Sequence, residues 1–374
     1  RNLSRGLGDV YKRQILVSIF SSHSVFSSEF YSEKHHGNVQ FYSLGDFKLE
    51  SDQVLRDAQL AYTTHGRLNR DKDNAILVTT WYGATNKVMD DIYIGPDKAL
   101  NPDKYFIVVV NQLGNGLSTS PNNSKTQPDD TFPKLSISDD VSAQHQLLSE
   151  EYGIKQLALV VGGSMGAQQV WEWAVRYPNM VHRSAPIAGT ATNSAMASLI
   201  SETLKDAIIS DPAFSEGDYD DYRNVNDGLS RHADLWSVFG FSEAFYDQQL
   251  YKKLGFQSVD SFLDGATRRS FTSMEPNVLL SMIDKWQSHD VTLPGKSLEQ
   301  TLNGIRALTY VMSIDTDGVF PPEELKKLQT ITPNSTYKEL KTPYGHFALA
   351  GLDIHFVEQV DENLSELLNL PAPK

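Results

Sequence analysis

From about residue 40 onward, short apolar runs alternate with stretches of helical spacing. Residues 75–80 (AILVTT), 105–110 (YFIVVV), 156–161 (QLALVV) and 307–314 (ALTYVMSI) are rich in β-branched and aromatic side chains. Runs that are apolar on both faces predict strands of a largely parallel sheet, covered on each side by helices. Residues 139–152 (DDVSAQHQLLSEEY) predict a helix that starts with acidic residues, and 168–176 predict another that stops near Tyr177-Pro178. The alternation predicts a doubly wound α/β layer.

The stretch 191–297 breaks this rhythm. Helical spacing returns at 199–209, 234–254 and 276–289, joined by loops rich in Asp, Gly and Ser. The expected organisation is therefore a core over 40–190 and 298–374 with a helical lid inserted at 191–297. Asp218, Asp220 and Asp221 within the lid read as a solvated acidic loop. Residues 1–39 read as a leader outside the fold: 1–14 match nothing that follows, and 15–28 (ILVSIFSSHSVFSS) have the order of an export-signal remnant. The expected location is cytoplasmic, or exported if 15–28 is such a remnant.

Composition narrows the function classes. The 374 residues carry 33 Lys+Arg against 47 Asp+Glu, a formal charge of −14, and this balance excludes a nucleic-acid or anionic-membrane partner. With no cysteine there is no disulfide, thiolate zinc site, iron–sulfur cluster or cysteine nucleophile. No run of about 20 apolar residues is present to span a membrane. His35-His36 has no second ligand pair at useful spacing, so a metal is not expected and the two read as solvated. Gly114-Asn115-Gly116 follows an apolar run, but Thr119 stands at the sixth position and no helix start follows to hold a pyrophosphate.

The informative motif is Gly162-Gly163-Ser164-Met165-Gly166. It satisfies G-x-S-x-G, follows the run QLALVV and leads into AQQVWEWAVRY. A sharp strand-to-helix turn of this kind presents a serine hydroxyl above a sheet, and crowding demands small neighbours. Ser164 is the expected nucleophile. A serine hydroxyl needs a base, and the base an orienting carboxylate, in the chain order Ser, acid, His. His346 lies in the turn-rich TPYGHF and is the expected base; His355, nine residues on, reads as packing or surface. His182, His232 and His289 precede the acid and fit the order badly. Asp317 follows ALTYVMSI and is the expected acid, with Asp315 as fallback. The oxyanion hole requires two backbone N–H donors. One is expected from Met165, the other from Trp81 or Tyr82 in the loop Trp81-Tyr82-Gly83-Ala84-Thr85-Asn86. Trp236, Phe239, Phe241, Phe245 and Tyr246 are divided between lid packing and a substrate pocket.

These motifs, in this order, make the chain similar over about 40–370 to the homoserine O-acetyltransferase family, acyltransferases of the α/β-hydrolase fold. The resemblance rests on Asn111-Gln112-Leu113-Gly114-Asn115-Gly116 with Ser120-Pro121, on 162–166 with Glu172-Trp173-Ala174, on Asp317 with Phe320-Pro321-Pro322, and on Pro343-Tyr344-Gly345-His346. It implies Ser164, Asp317 and His346 as a triad, and no metal. It further implies acyl transfer from a CoA thioester, as co-substrate, through acyl-serine to a small hydroxyl acceptor, substrate contacts at Asn111 and Gly83, and a homodimer. Three positions depart from the family pattern. Phe347 stands where an aspartate that holds the substrate ammonium is expected, Ala233 where a substrate-binding arginine is expected, and the elbow ends in Ala167 rather than glycine. Loss of both charged contacts would strand the ends of homoserine in a desolvated pocket. The expected function is therefore acyl transfer of the homoserine O-acetyltransferase type to a small hydroxyl acceptor, with a serine esterase that uses water as acceptor as the alternative.

Overall fold

The computed structural model describes residues 30–371. Eight strands form one sheet in the order β1-β2-β4-β3-β5-β6-β7-β8. These are β1 (Gln40–Lys48), β2 (Val54–His65), β3 (Ala75–Thr79), β4 (Phe106–Val110), β5 (Leu159–Gly163), β6 (Arg183–Ile187), β7 (Leu308–Ile314) and β8 (Ser335–Leu340). β1 and β2 pair antiparallel, as do β2 and β4; every other pairing is parallel. All four expected strands are present. The other four escape a search for apolar runs. β1 and β8 lie at the sheet edges with half-exposed, polar sequences, β2 begins with polar alternation, and β6 carries Arg183 and Pro186.

The pleat divides the strand residues between two cores. Ile76, Val78, Ile107, Val109, Leu159 and Val161 point to one face. There they meet α1 (Asn86–Ile92) and a C-terminal helix, Ile354–Asn369. Leu77, Val108, Val110 and Val160 point to the other. That face is covered by α2 (Ile137–Gln146), α3 (Met165–Arg176) and, further along, Pro322–Thr330. Burial on both faces is why β3 and β4 are apolar throughout.

α2 begins in a capping box: the Ser136 hydroxyl accepts from Asp139 N and the Asp139 carboxylate accepts from Ser136 N. It then continues as a π-helical turn, Leu147–Glu151, so the expected helix over 139–152 is displaced and changes type at its end. Between β6 and β7 the chain forms no strand of the sheet. It holds α4 (Ala195–Ile209), α5 (Asn226–Gly240) and α6 (Pro276–Gln287) with shorter turns between them. A single expected helix over 234–254 is interrupted after Gly240: Phe241 is extended, and Ser242 caps a new short helix, Glu243–Asp247. A Cβ on Gly240 would overlap the Phe347 ring, at 2.5 Å from Cδ2. The break thus lets the insert pack against the loop that carries His346.

The structure revises one part of the expected leader. The export-signal segment 15–28 lies outside the described residues. Phe30–His36, however, docks on the core: His36 is buried, its Nδ1 lies 2.9 Å from Thr85 Oγ1, and Asn86 Nδ2 donates to its carbonyl. Burial pushes the His36 imidazole down to about 3, so it is neutral and not solvated. Among the described residues no group of three or more His, Asp and Glu could hold a metal, and no helix is long and apolar enough to cross a membrane.

One ion pair fastens the insert to the core. Lys285 of α6 is fully buried and donates to Asp140 Oδ2 of α2 (2.6 Å) and to the Leu113 carbonyl (2.7 Å). Asp140 Oδ1 also accepts from Leu113 N. Desolvation lowers the Lys285 ammonium from its usual range and pushes the Asp140 carboxyl up to about 6, although the lysine pulls it down. Because the folded carboxyl sits above its unfolded value, its contribution to stability is greatest below about pH 4 and is lost as pH rises through about 6. Lys285→Met removes the compensating charge. It is expected to destabilise the fold by about 3–5 kcal/mol at pH 8, with the deficit shrinking at pH 5 as Asp140 protonates. Urea unfolding at both pH values checks this, and an equal deficit at the two contradicts it.

Candidate active site

β5 ends at Gly163, and α3 starts at Met165, so the whole reversal falls on Ser164. Its backbone sits at φ 53°, ψ −125°, a region that L side chains rarely adopt. The neighbours explain how this is tolerated. A Cβ on Gly162 would overlap Thr79 Oγ1 and lie 2.8 Å from the Gly166 carbonyl carbon, and one on Gly166 would lie 2.8 Å from the Thr79 carbonyl oxygen. Strands β3 and β5 and the first turn of α3 therefore close together only because glycine stands at both positions.

The structure brings Ser164, His346 and Asp317 into one chain of hydrogen bonds. His346 Nε2 is 2.9 Å from Ser164 Oγ and its Nδ1 is 2.7 Å from Asp317 Oδ2. All three are buried, at 4–5 % exposure. Asp317 Oδ1 accepts from Val319 N (2.7 Å) and Phe320 N (3.0 Å), which holds the carboxylate in the turn after β7. Asp315, the fallback, instead accepts from Thr342 N and pairs with Lys341; it does not reach His346. The base and acid loops are tied directly, since Thr316 Oγ1 donates to the Thr342 carbonyl and accepts from Gly345 N. Such a chain of groups can draw the proton from a serine hydroxyl and hold the resulting imidazolium.

Ser164 and His346 open into a cavity of about 130 Å3. Its wall comes from 81–84, from Trp236, Phe241, Thr267, Ser270, Phe271 and Met274 of the insert, and from Phe347, Leu349 and Leu352 beyond the histidine. Among the described residues no Lys, Arg, Asp or Glu side chain lines it. Trp236 stacks at 23° to the His346 ring and lies 5.8 Å from Phe347, which in turn packs 4.6 Å from Phe241. Phe239, Phe245 and Tyr246 pack within the fold and do not line the cavity, so the lid aromatics divide between the two roles.

Trp81, Tyr82 and Gly83 lie in this wall as expected for a loop beside the nucleophile. The Tyr82 hydroxyl is bound to His232 Nε2 (2.9 Å), which also accepts from Trp236 Nε1, while His232 Nδ1 donates to the Leu204 carbonyl. Burial pushes this imidazole down to about 4 and keeps it neutral, as two donors on Nε2 require. Met165, first residue of α3, has an amide free of intrahelical bonding by its position.

The structure places Asn111, expected to contact substrate, outside the cavity wall. Its side chain is fully buried and engaged: Oδ1 accepts from Asn86 N and Asn115 Nδ2, and Nδ2 donates to Asn86 Oδ1. It holds the start of α1 and is not among the residues that line the cavity. Ala233 is likewise buried in the core rather than in the cavity wall, and the adjacent Arg231 reaches the Ala207 carbonyl and Ser210.

The α/β hydrolase fold matches residues 76–350. The chain belongs to the α/β hydrolase fold family. Within that family it is 47 % identical over 347 residues to an ethyl acetate hydrolase of Pseudomonas veronii, covering 92 % of this chain and 99 % of that one. A solved structure of the acetyl esterase MekB superposes with a TM-score of 0.90 at 47 % identity, covering 91 % of this chain and 99 % of that one. The homoserine O-acetyltransferase of Methanosalsum zhilinae is 32 % identical, covering 83 % of this chain and 69 % of its own length. The likeness to the transferases is thus real but more distant than the likeness to esterases.

Asp317→Asn preserves the shape of the carboxylate but presents an amide to His346 Nδ1. It is expected to lower kcat by about 10^4-fold through the wrong imidazole tautomer, whereas Asp315→Asn stays within about tenfold of the parent. Steady-state kinetics on a chromogenic acetate ester separates the two.

Proposed function

We propose that the protein is a serine esterase that hydrolyses short-chain, uncharged carboxylic esters, acetates above all, with water as the final acceptor. The observation that carries this reading is the cavity wall: beside Ser164 and His346 it offers aromatic rings, aliphatic side chains and the hydroxyls of Thr267 and Ser270, and no formal charge. Homoserine would enter with an ammonium and a carboxylate, each needing a partner once desolvated. The position after the base, where the transferase pattern has an aspartate, is filled by Phe347 packed on Gly240 and Phe241. At about 130 Å3 the space is well below the ~300–1,000 Å3 of pockets for drug-sized ligands. Similarity to an ethyl acetate hydrolase and an acetyl esterase supports the same conclusion.

In this mechanism Ser164 Oγ attacks the ester carbonyl while His346 Nε2 takes its proton. Asp317 holds Nδ1–H and stabilises the imidazolium. The oxyanion of the tetrahedral intermediate is received by Met165 N–H at the start of α3, where the helix dipole adds to the effect, and by the N–H of Trp81 or Tyr82. His346 then gives its proton to the departing alkoxide, leaving acyl-Ser164 and a free alcohol. Water then attacks the acyl carbonyl as His346 takes its proton, and on collapse of the tetrahedral intermediate His346 returns that proton to Ser164 Oγ, which releases the carboxylic acid and restores the serine. No cofactor takes part in these steps.

Ethyl acetate and 4-nitrophenyl acetate are expected to be hydrolysed without an added acceptor, and Ser164→Ala is expected to remove this activity while the far-ultraviolet circular dichroism spectrum is kept. Release of CoA from acetyl-CoA is expected to be slow and indifferent to homoserine. Homoserine-dependent CoA release exceeding ester hydrolysis would instead establish the acyltransferase reading, with acyl-CoA as donor.

A further inference from the structure

A second void lies behind the nucleophile. It measures about 20 Å3 and abuts Gly162 and Gly163 of the elbow, with Val161, Ile187, Met89 and Val360 among its walls. Nearly all of its lining is apolar. A space of this size holds roughly one water, and apolar walls leave that water without partners, so such a void stays dry. Among the described residues, two line both this void and the cavity at Ser164, Trp81 and Leu349. Leu349 is the closer of the two shared side chains. A Cβ on Gly163 would stand 2.8 Å from Leu349 Cδ2 and 3.5 Å from Trp81 Cε3. The Leu349 backbone is held in place by Tyr93, whose hydroxyl donates to its carbonyl (2.7 Å) and whose side chain also borders the void.

We infer that Leu349 is a specificity-determining residue: its side chain partitions the two spaces and so sets a short limit on the acyl chain. This inference rests on the esterase reading above. The acyl side, not the alcohol side, follows from the base. His346 must reach the leaving alcohol oxygen to protonate it, and His346 lines the main cavity but not the void. The alcohol therefore departs on the His346 side. A chain passing Leu349 toward β5 is the one that stays bonded to Ser164 through its carbonyl carbon. With leucine in place, that path is closed. Shortening the side chain joins the void to the cavity, and each methylene then buried is worth several-fold in binding.

The test compares kcat/KM for 4-nitrophenyl acetate, butyrate and hexanoate, and for ethyl, butyl and hexyl acetate, in the parent, Leu349→Ala, Leu349→Val and Leu352→Ala. Ratios between substrates are independent of the active fraction, so partial misfolding of one variant does not obscure the result. Leu349→Ala is expected to raise the hexanoate-to-acetate ratio at least tenfold, Leu349→Val by a smaller factor, and neither to shift the alkyl acetate series by more than about twofold. Leu352 lines the main cavity alone, and Leu352→Ala is expected to leave the acyl ratio within about threefold of the parent. An unchanged acyl ratio in both Leu349 variants, an equal shift in Leu352→Ala, or a shift confined to the alkyl acetates overturns the partition. Failure of the parent to hydrolyse any of these esters would overturn the esterase reading instead.

Discussion

The backbone of Ser164 is the constraint around which the site is arranged. A non-glycine residue at φ 53° between a strand and a helix is strained, and it persists only where the surroundings over-determine it. Here they do. Gly162 and Gly166 let β3 and α3 close to within contact of each other, Ser164 N is bonded to the Ile187 carbonyl of β6, and Gln168 N returns to the Ser164 carbonyl. The strain is held by central strands rather than by loops, so the hydroxyl keeps its direction while the walls of the cavity are free to differ between relatives.

The base and acid are positioned by a different part of the sheet. β7 and β8 pair in parallel from Thr309 to Leu340, and the turns that leave their carboxyl ends carry Asp317 and His346. Thr316, Thr342 and Asp315 bond these two turns to each other. The third contribution, the cavity wall, comes from the insert, which is clamped to the core by the buried Lys285–Asp140 pair and meets the histidine loop at Gly240. Nucleophile, base and wall are thus set by three separate sets of contacts that converge on one small volume.

The legibility of each part follows from the range of the interactions that define it. The elbow was readable because its sterics are local: five adjacent residues carry them. Strands β3, β4, β5 and β7 were readable because burial on both faces writes a continuous apolar run. Edge strands β1 and β8 answer to neighbours on one side only, and their mixed polarity hides them. Asp317 and Asp315 differ by two residues in sequence but by the whole geometry of a turn in space; the sequence ranks Asp317 first, and the fold shows why Asp315 is only a fallback, since it bonds to Thr342 and Lys341 instead. Asn111 belongs to a motif that resembles a binding loop, yet its side chain was already committed to Asn86 and Asn115. Lys285, His232 and Leu349 carry no local signature at all. Each acquires its role from a partner more than 100 residues away, and no periodicity in the chain records how the insert docks.

The insert leaves and rejoins the sheet at nearly the same point. Thr192 and Asp290 form an isolated bridge, and Val291 N bonds to the Ala191 carbonyl, so the whole excursion hangs from a narrow stem. A stem of that kind insulates β6 and β7 from length changes beyond it. Away from the docking points at Lys285 and Gly240, the helices of the insert can therefore lengthen or shorten while strand register and the hydrogen-bonded chain from Asp317 to Ser164 stay as they are. The wall that the insert gives to the cavity can thus change without moving the nucleophile, the base or the Leu349 side of the cavity.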